Sequence, residues 1–254
     1  MLASERRGLI VSTINTKGHV TVEELAIRFG VTSDCIRKDL RFLDAKGLCH
    51  RVYGGAVNMM QGQQDTRAIL SRIDVRADEK RAIAMKAVNL IKPNSLVFLD
   101  VSTTNLYLAE TLVASRMRLT VVSNMLDILS TMASCPTITA IGTPGVVNDE
   151  LNGLFGTSTI ASLTPFKFDA AFIGARAVSI EGGSVSTFEM DDGLVKQTVI
   201  ERAFESYLMA DNHKFSLESN YSFAQISQFT GIVCEERPEE EKARAIESLG
   251  VRLI

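Results

Sequence analysis

The stretch "VTVEELAIRFGVTSDCIRKDLRFLDAKG", Val20–Gly47, decides how the start of this chain folds. Thr21, followed three residues later by Glu24, makes a capping box: a hydroxyl and a carboxylate satisfy N–H groups that a helix start leaves free. Val22, Leu25, Ala26 and Phe29 recur at i, i+3, i+4 and i+7, so one face of a short helix is buried. Gly30-Val31 supplies a turn and Thr32 caps again. In the second helix Ile36, Leu40 and Leu43 face inward, leaving Arg37, Lys38 and Arg41 outside. Two short helices across a glycine-containing turn, the second with a basic outer face, have helix-turn-helix geometry. Hydroxyls and N–H groups at such helix starts, here Thr21, Thr32 and Ser33, fix phosphates, while long cationic side chains reach base edges.

The flanks agree. Upstream, "RRGLIVSTINTKG" places Leu9, Ile10 and Ile14 at helical spacing and ends near Gly18. Downstream, "LCHRVYGGA" reads as a β-hairpin wing carrying Arg51 and Tyr53 before the Gly54-Gly55 turn. The alternative is an ordinary helical hairpin with a solvated charged face. That explains any single basic residue, but caps, apolar spacing, turn and wing together favour a nucleic-acid reader.

Val20–Ala56 resembles the N-terminal winged helix of DeoR-family bacterial transcriptional regulators. Leu25, Ala26, Phe29, Ile36, Arg37, Asp39, Leu40, Arg51, Gly54 and Gly55 match its pattern in register. Thr32, Cys35 and Tyr53 stand where the family usually has Ser, Thr and His. Thr32 keeps a capping hydroxyl, whereas Cys35 loses one. The resemblance implies contact with double-stranded operator DNA through Thr21, Thr32, Ser33, Arg37, Lys38, Arg41, Arg51 and Tyr53.

Bulk properties bound the rest. At 254 residues, 46% hydrophobic and a mean hydropathy of +0.12, the chain has enough apolar surface for one large domain plus one small one. No apolar run is long enough to span a bilayer and the N-terminus lacks a signal-peptide pattern, so a cytoplasmic location is expected. Cys35, Cys49, Cys135 and Cys234 form no CxxC and the three histidines are scattered, so neither metal nor cofactor is expected. The net charge of −3 is unevenly spread: residues 1–57 hold nine Lys/Arg against six Asp/Glu, and the remainder eighteen against twenty-four. A basic head on an acidic body suggests that only the head meets a polyanion.

Polar, aperiodic "VNMMQGQQDTR" reads as a linker, giving a winged head over residues 1–57, a linker over 58–75 and a larger domain over 76–254. Arg72 to Ile91 is amphipathic, with Ile83, Ala87, Leu90 and Ile91 on one face. Strand-like "LVFLDV", "LTVVSN", "TITAIG", "DAAFIG", "YLMAD" and "GIVC" then alternate with helical Leu106–Ala114, Leu126–Ala133, Leu194–Glu205 and Glu239–Leu249. This alternation predicts an open, mainly parallel α/β sheet, whose ligands sit at strand carboxyl ends. The strand ends carry Asp100, Ser102, Thr103, Thr104, Ser123, Asn124, Gly142, Gly174, Asp211 and Lys214, with Lys196 on a helix between. Hydroxyls and free N–H groups suit a phosphate, Asp100 and Asn124 suit sugar hydroxyls, and a lysine would neutralise the phosphate. Taken singly, each is equally well a cap, a strand end or a solvated charge.

The resemblance continues over nearly the whole chain. Asp100-Val101-Ser102-Thr103-Thr104, Ser123-Asn124, Gly142-Thr143-Pro144-Gly145, Phe172-Ile173-Gly174, Lys196 and Asp211-Asn212-His213-Lys214-Phe215 are similar to the family's sensor-domain motifs. Ser102 stands for a usual Gly, the Gly-Gly pair is interrupted, and His213 replaces Ser. The resemblance implies a domain similar in fold to ribose-phosphate isomerases and CoA transferases. It also implies a homodimer or homotetramer that represses a carbohydrate uptake or catabolism operon under control of a phosphorylated sugar. Two other readings stand beside it: a sugar-phosphate isomerase or acyl-CoA transferase with an accessory head, and a DNA-binding protein without a ligand. Against the enzyme, no compact acid–base cluster beside a lysine is legible.

Overall fold

The structure, a computed structural model, describes residues 3–17, 19–52, 54–57 and 69–254. Tyr53 and most of the expected linker lie outside the described residues. The chain divides into two units, Met1–Thr66 and Arg67–Ile254, each with its own core.

The first unit runs α1 (Ala3–Lys17), β1 (His19–Thr21), α2 (Val22–Phe29), α3 (Ser33–Ala45), β2 (His50–Val52) and β3 (Gly55–Val57). Both halves of the capping box form at Thr21 and Glu24, and Gly30 closes α2 in the left-handed conformation. Thr32 Oγ1 accepts from Cys35 N at 3.3 Å, starting α3. Ile10, Ile14, Leu25, Ile36, Leu40 and Leu43 meet in the core. Leu9 departs from expectation: it is 44% exposed, because the inward stripe of α1 runs through positions 6, 10 and 14, and Leu9 sits a residue off it. The hairpin also gains a third strand, in the order β1-β3-β2. Gly55 makes that possible, since a Cβ there would lie 2.1 Å from the Val20 carbonyl oxygen.

In the second unit α4 (Ala77–Ala87) precedes β4 (Leu96–Leu99), α5 (Thr103–Ser115), β5 (Leu119–Ser123), α6 (Leu126–Ala133) and β6 (Ile138–Gly142). A hairpin, β7 (Val146–Asn148) and β8 (Gly153–Phe155), leads through α7 (Thr157–Leu163) to β9 (Phe168–Gly174), β10 (Ala177–Ser179) and β11 (Ser184–Thr187). The chain ends with α8 (Met190–Arg202), β12 (Ala203–Met209), β13 (Tyr221–Gln225), β14 (Gly231–Val233), α9 (Glu240–Ser248) and β15 (Arg252–Leu253). All six apolar runs become strands of one parallel sheet, ordered β15-β14-β12-β9-β4-β5-β6. The helix expected over Leu194–Glu205 is displaced. It starts at Met190, where Asp191 and Asp192 favour the positive helix end, and stops at Arg202 because Ala203 pairs with Phe168 of β9. Two small antiparallel sheets, β10-β11-β13 and β7-β8, are further additions.

From β4 the chain moves outward through β5 and β6, then returns to the other side of β4 with β9, β12, β14 and β15. Strand order therefore reverses between β4 and β9, and a crevice opens at their carboxyl ends.

Candidate functional site

In the first unit α3 has two contrasting faces. Arg37, Lys38 and Arg41 are exposed, as are Thr32 and Ser33 at its start. Arg37 Nη1 donates to Asp34 Oδ1 at 2.8 Å, an exposed pair easily exchanged for another anion. On the inner side Asp39 is buried and accepts from Arg6 Nε at 2.6 Å and Arg7 Nε at 2.7 Å, tying α1 to α3. Arg7 also lies 4.0 Å over the Phe42 ring. Arg6 Nη2 donates to Cys35 Sγ at 3.2 Å, so the thiol is engaged by α1. Thr21 lies at the start of α2 and Arg51 on β2.

In the second unit the crevice is built around Asp100. Its Oδ2 accepts from Gly174 N at 2.9 Å and lies 2.7 Å from Lys196 Nζ, while its Oδ1 accepts from the Asn105 amide. Lys196 Nζ also donates to Asp192 Oδ1 at 2.7 Å, and Asp192 Oδ2 accepts from Thr187 Oγ1 at 2.7 Å. Burial opposes the Lys196 ammonium, but the two carboxylates outweigh it and hold its pKa above the usual lysine range. A compact carboxylate–lysine cluster therefore does exist, contrary to the sequence reading. Lys196 and Asp100 are only 2% and 1% exposed, and they satisfy each other.

Ser102 caps α5: its Oγ accepts from Asn105 N at 3.1 Å, and its φ of −156° is ordinary extended backbone. Its bulk is accommodated by Gly174, where a Cβ would lie 2.5 Å from Ser102 Cβ. Thr103 and Thr104 form the buried first turn of α5. At the end of β5, Ser123 Oγ accepts from Met125 N at 3.1 Å, and Asn124 Nδ2 donates to the Leu154 carbonyl at 3.2 Å. Asn124 Oδ1 and Thr143 Oγ1 are buried without a hydrogen-bond partner among the described residues. Gly142 ends β6 on the exposed side.

A second group of charges surrounds the far side of the crevice. Asp211 Oδ1 accepts from His213 N at 3.1 Å and lies 3.3 Å from Arg76 Nε, forming the turn that presents Lys214. Lys80 Nζ donates to the carbonyls of Arg72 and Ile73. Arg176, immediately after β9, is buried 4.9 Å over the Phe188 ring. These cations depress one another. Burial, then Lys214 and Arg72, push Lys80 down to about 7, against the pull of Asp211 and Glu79. Burial with Arg72, Arg176 and Arg76 brings Lys214 to about 8 despite Asp211. Burial and Arg176 take Arg72 to about 10, with Asp192 opposing.

Asp100, Ser102, Gly174 and Lys196 thus meet in one crevice, and Asp211 and Lys214 join the cation group. Arg72, Arg76, Lys80 and Arg176 were not singled out from the sequence, nor was Asn105. Each is an unremarkable residue in its own segment, and only the topology assembles them. Among the described residues no group of histidines, cysteines and carboxylates could hold a metal ion, and no helix is long and apolar enough to cross a membrane.

Comparison with known proteins adds three kinds of likeness. A profile described as "DeoR-like helix-turn-helix domain" matches residues 6–61, and one described as "DeoR C terminal sensor domain" matches residues 75–236. The chain is 26% identical over 252 residues to the putative aga operon transcriptional repressor of Escherichia coli O157:H7, covering 99% of this chain and 93% of that one. It is 26% identical over 254 residues to the HTH-type transcriptional repressor GlcR of Bacillus subtilis (strain 168), covering 100% and 96%. Among solved structures, the translation initiation factor eIF-2B of Pyrococcus horikoshii OT3 superposes with a TM-score of 0.50 at 14% identity, over 92% of this chain and 88% of that one. The last likeness concerns the fold alone.

Proposed function

The chain belongs to the DeoR family of transcriptional regulators, and from that premise we propose that it represses a carbohydrate uptake or catabolism operon in response to a phosphorylated sugar. The winged head binds operator DNA, with α3 in the major groove and Arg37, Lys38 and Arg41 facing the duplex. Thr21, Thr32 and Ser33 meet the phosphate backbone at helix starts, joined by Arg51 and Tyr53 of the wing. The effector binds at the strand-end crevice of the second unit. One winged helix reads too few base pairs for useful specificity, so the working species is a homodimer or homotetramer in the cytoplasm.

The observation that carries this reading is the two-faced α3: one side locked into the core and clamped through Asp39, the other basic and open. No reaction is assigned to the crevice, because Asp100 and Lys196 saturate each other away from solvent. Isomerase turnover abolished by Asp100→Asn would reverse that assignment. The DNA reading is tested with the duplex upstream of the protein's own gene. Arg37→Ala combined with Arg41→Ala is expected to weaken binding at least about tenfold and to flatten its dependence on salt. Unchanged affinity in the double variant would remove α3 as the recognition helix.

A further inference from the structure

Resting on the oligomer reading above, we propose that two copies of the chain pair through the end of the parallel sheet where its strands start, each seating its Phe204 in the other's groove. Phe204 is the second residue of β12, and it is 76% exposed. A single exposed apolar side chain is ordinary on a protein surface. What sets this one apart is the hollow beside it, a groove of about 360 Å³ whose apolar lining is Leu90, Pro93 and Ala170. That volume is on the order of ten waters' share of the liquid, room for a phenyl ring. Phe204 stands on the edge of its own groove without filling it. The register explains the arrangement. Ala170 of β9 lies opposite Glu205 of β12 on one side and Val97 of β4 on the other, so three strand starts meet residues 90–95 at one end of the sheet.

A knob and a hole side by side on one surface are what two-fold pairing needs, since each copy then gives what it receives. The rim charges fit the same symmetry. Lys92 and Arg202 are exposed cations that form no ion pair among the described residues. Asp169 and Glu205 are the carboxylates of the rim. Asp169 is exposed although its Oδ2 accepts from Leu96 N at 2.8 Å. With two charges of each sign, a copy turned by half a revolution meets opposite charges around the seated ring. Knob, hole and alternating rim together specify a second copy of this chain as the occupant. Pairing here also leaves the crevice open, because Asp100 and Gly174 lie at the carboxyl ends of the same strands. β9 alone spans the distance, from Asp169 and Ala170 at the groove to Gly174 at the crevice.

The test sediments the full-length protein over a range of concentrations, free and with the duplex from upstream of its own gene. Phe204→Ala and Phe204→Lys should each raise the dissociation constant of the assembly about tenfold or more, stepping a dimer to monomers or a tetramer to dimers. Far-UV circular dichroism of both variants should match wild type, because the ring lies outside the core of its own protomer. Lys92→Glu combined with Arg202→Glu, which leaves only carboxylates on the rim, should weaken the assembly as well. Chains carrying Phe204→Cys, mixed with differently tagged chains carrying Pro93→Cys, should join through a short bifunctional maleimide. Wild type, whose four cysteines are buried or half-buried, should not. A wild-type oligomer left unchanged by both Phe204 substitutions overturns this face, gives the groove to a different partner, and leaves the oligomer reading standing. A wild type that stays monomeric both free and on the duplex overturns the oligomer reading and this inference together.

Discussion

At the scale of single residues, two features turn burial into measurable behaviour. Lys80 is held down to about 7 by burial, by Lys214 and by Arg72, with Asp211 and Glu79 opposing, whereas the unfolded chain keeps the ordinary lysine value of 10.5. Between those values the unfolded state binds the extra proton, so this group makes stability rise with pH, and its full penalty applies below about 7. Melting of wild type and Lys80→Met compared across that range should show the gap shifting towards wild type as pH increases. A gap constant with pH would mean that Lys80 titrates normally. The second feature is the contact between Ser102 and Gly174. Gly174→Ala should fold poorly, because its methyl would meet Ser102 Cβ at 2.5 Å. Gly174→Ala with Ser102→Gly should recover much of the loss in urea melts, and equal destabilisation in both backgrounds would show that another neighbour sets the limit.

Among elements, the wing depends on one close approach. Gly55→Ala pushes β3 away from the Val20 carbonyl, with an expected cost of about 1–3 kcal/mol. Hydrogen exchange at Val22 N–H, which bonds to the Gly54 carbonyl at 2.8 Å, should speed up, while the parallel sheet of the second unit keeps its protection. Unaltered exchange at Val22 would place the strain elsewhere. The elements were unevenly legible. Buried parallel strands are continuous apolar runs closed by polar residues, so "LTVVSN" and "DAAFIG" announce themselves. Short antiparallel strands such as Ala177–Ser179 and Ser184–Thr187 have no such run, because each is only three or four residues long and places few apolar side chains. The end of α8 at Arg202 was hidden for a related reason. Helical spacing continues past it, and only pairing with β9 converts Ala203 onward into strand.

For the molecule as a whole, what the sequence concealed is what topology supplies. The caps of α2 and α3 are contacts within three residues and could be read directly. The Lys196–Asp100 pair and the meeting of Arg72 with Arg176 join positions about a hundred apart, which no spacing rule encodes. Lys80 likewise grips the carbonyls of Arg72 and Ile73, close to where the second unit starts. The same arrangement sets an order in time. Among the described residues the core of the first unit uses none beyond Ala56, whereas the Asp100–Lys196 pair is incomplete until Lys196 has been synthesised. At ribosomal speeds that interval is about 7–28 s. Each nascent chain thus completes the core of its first unit well before the buried ion pair of its second.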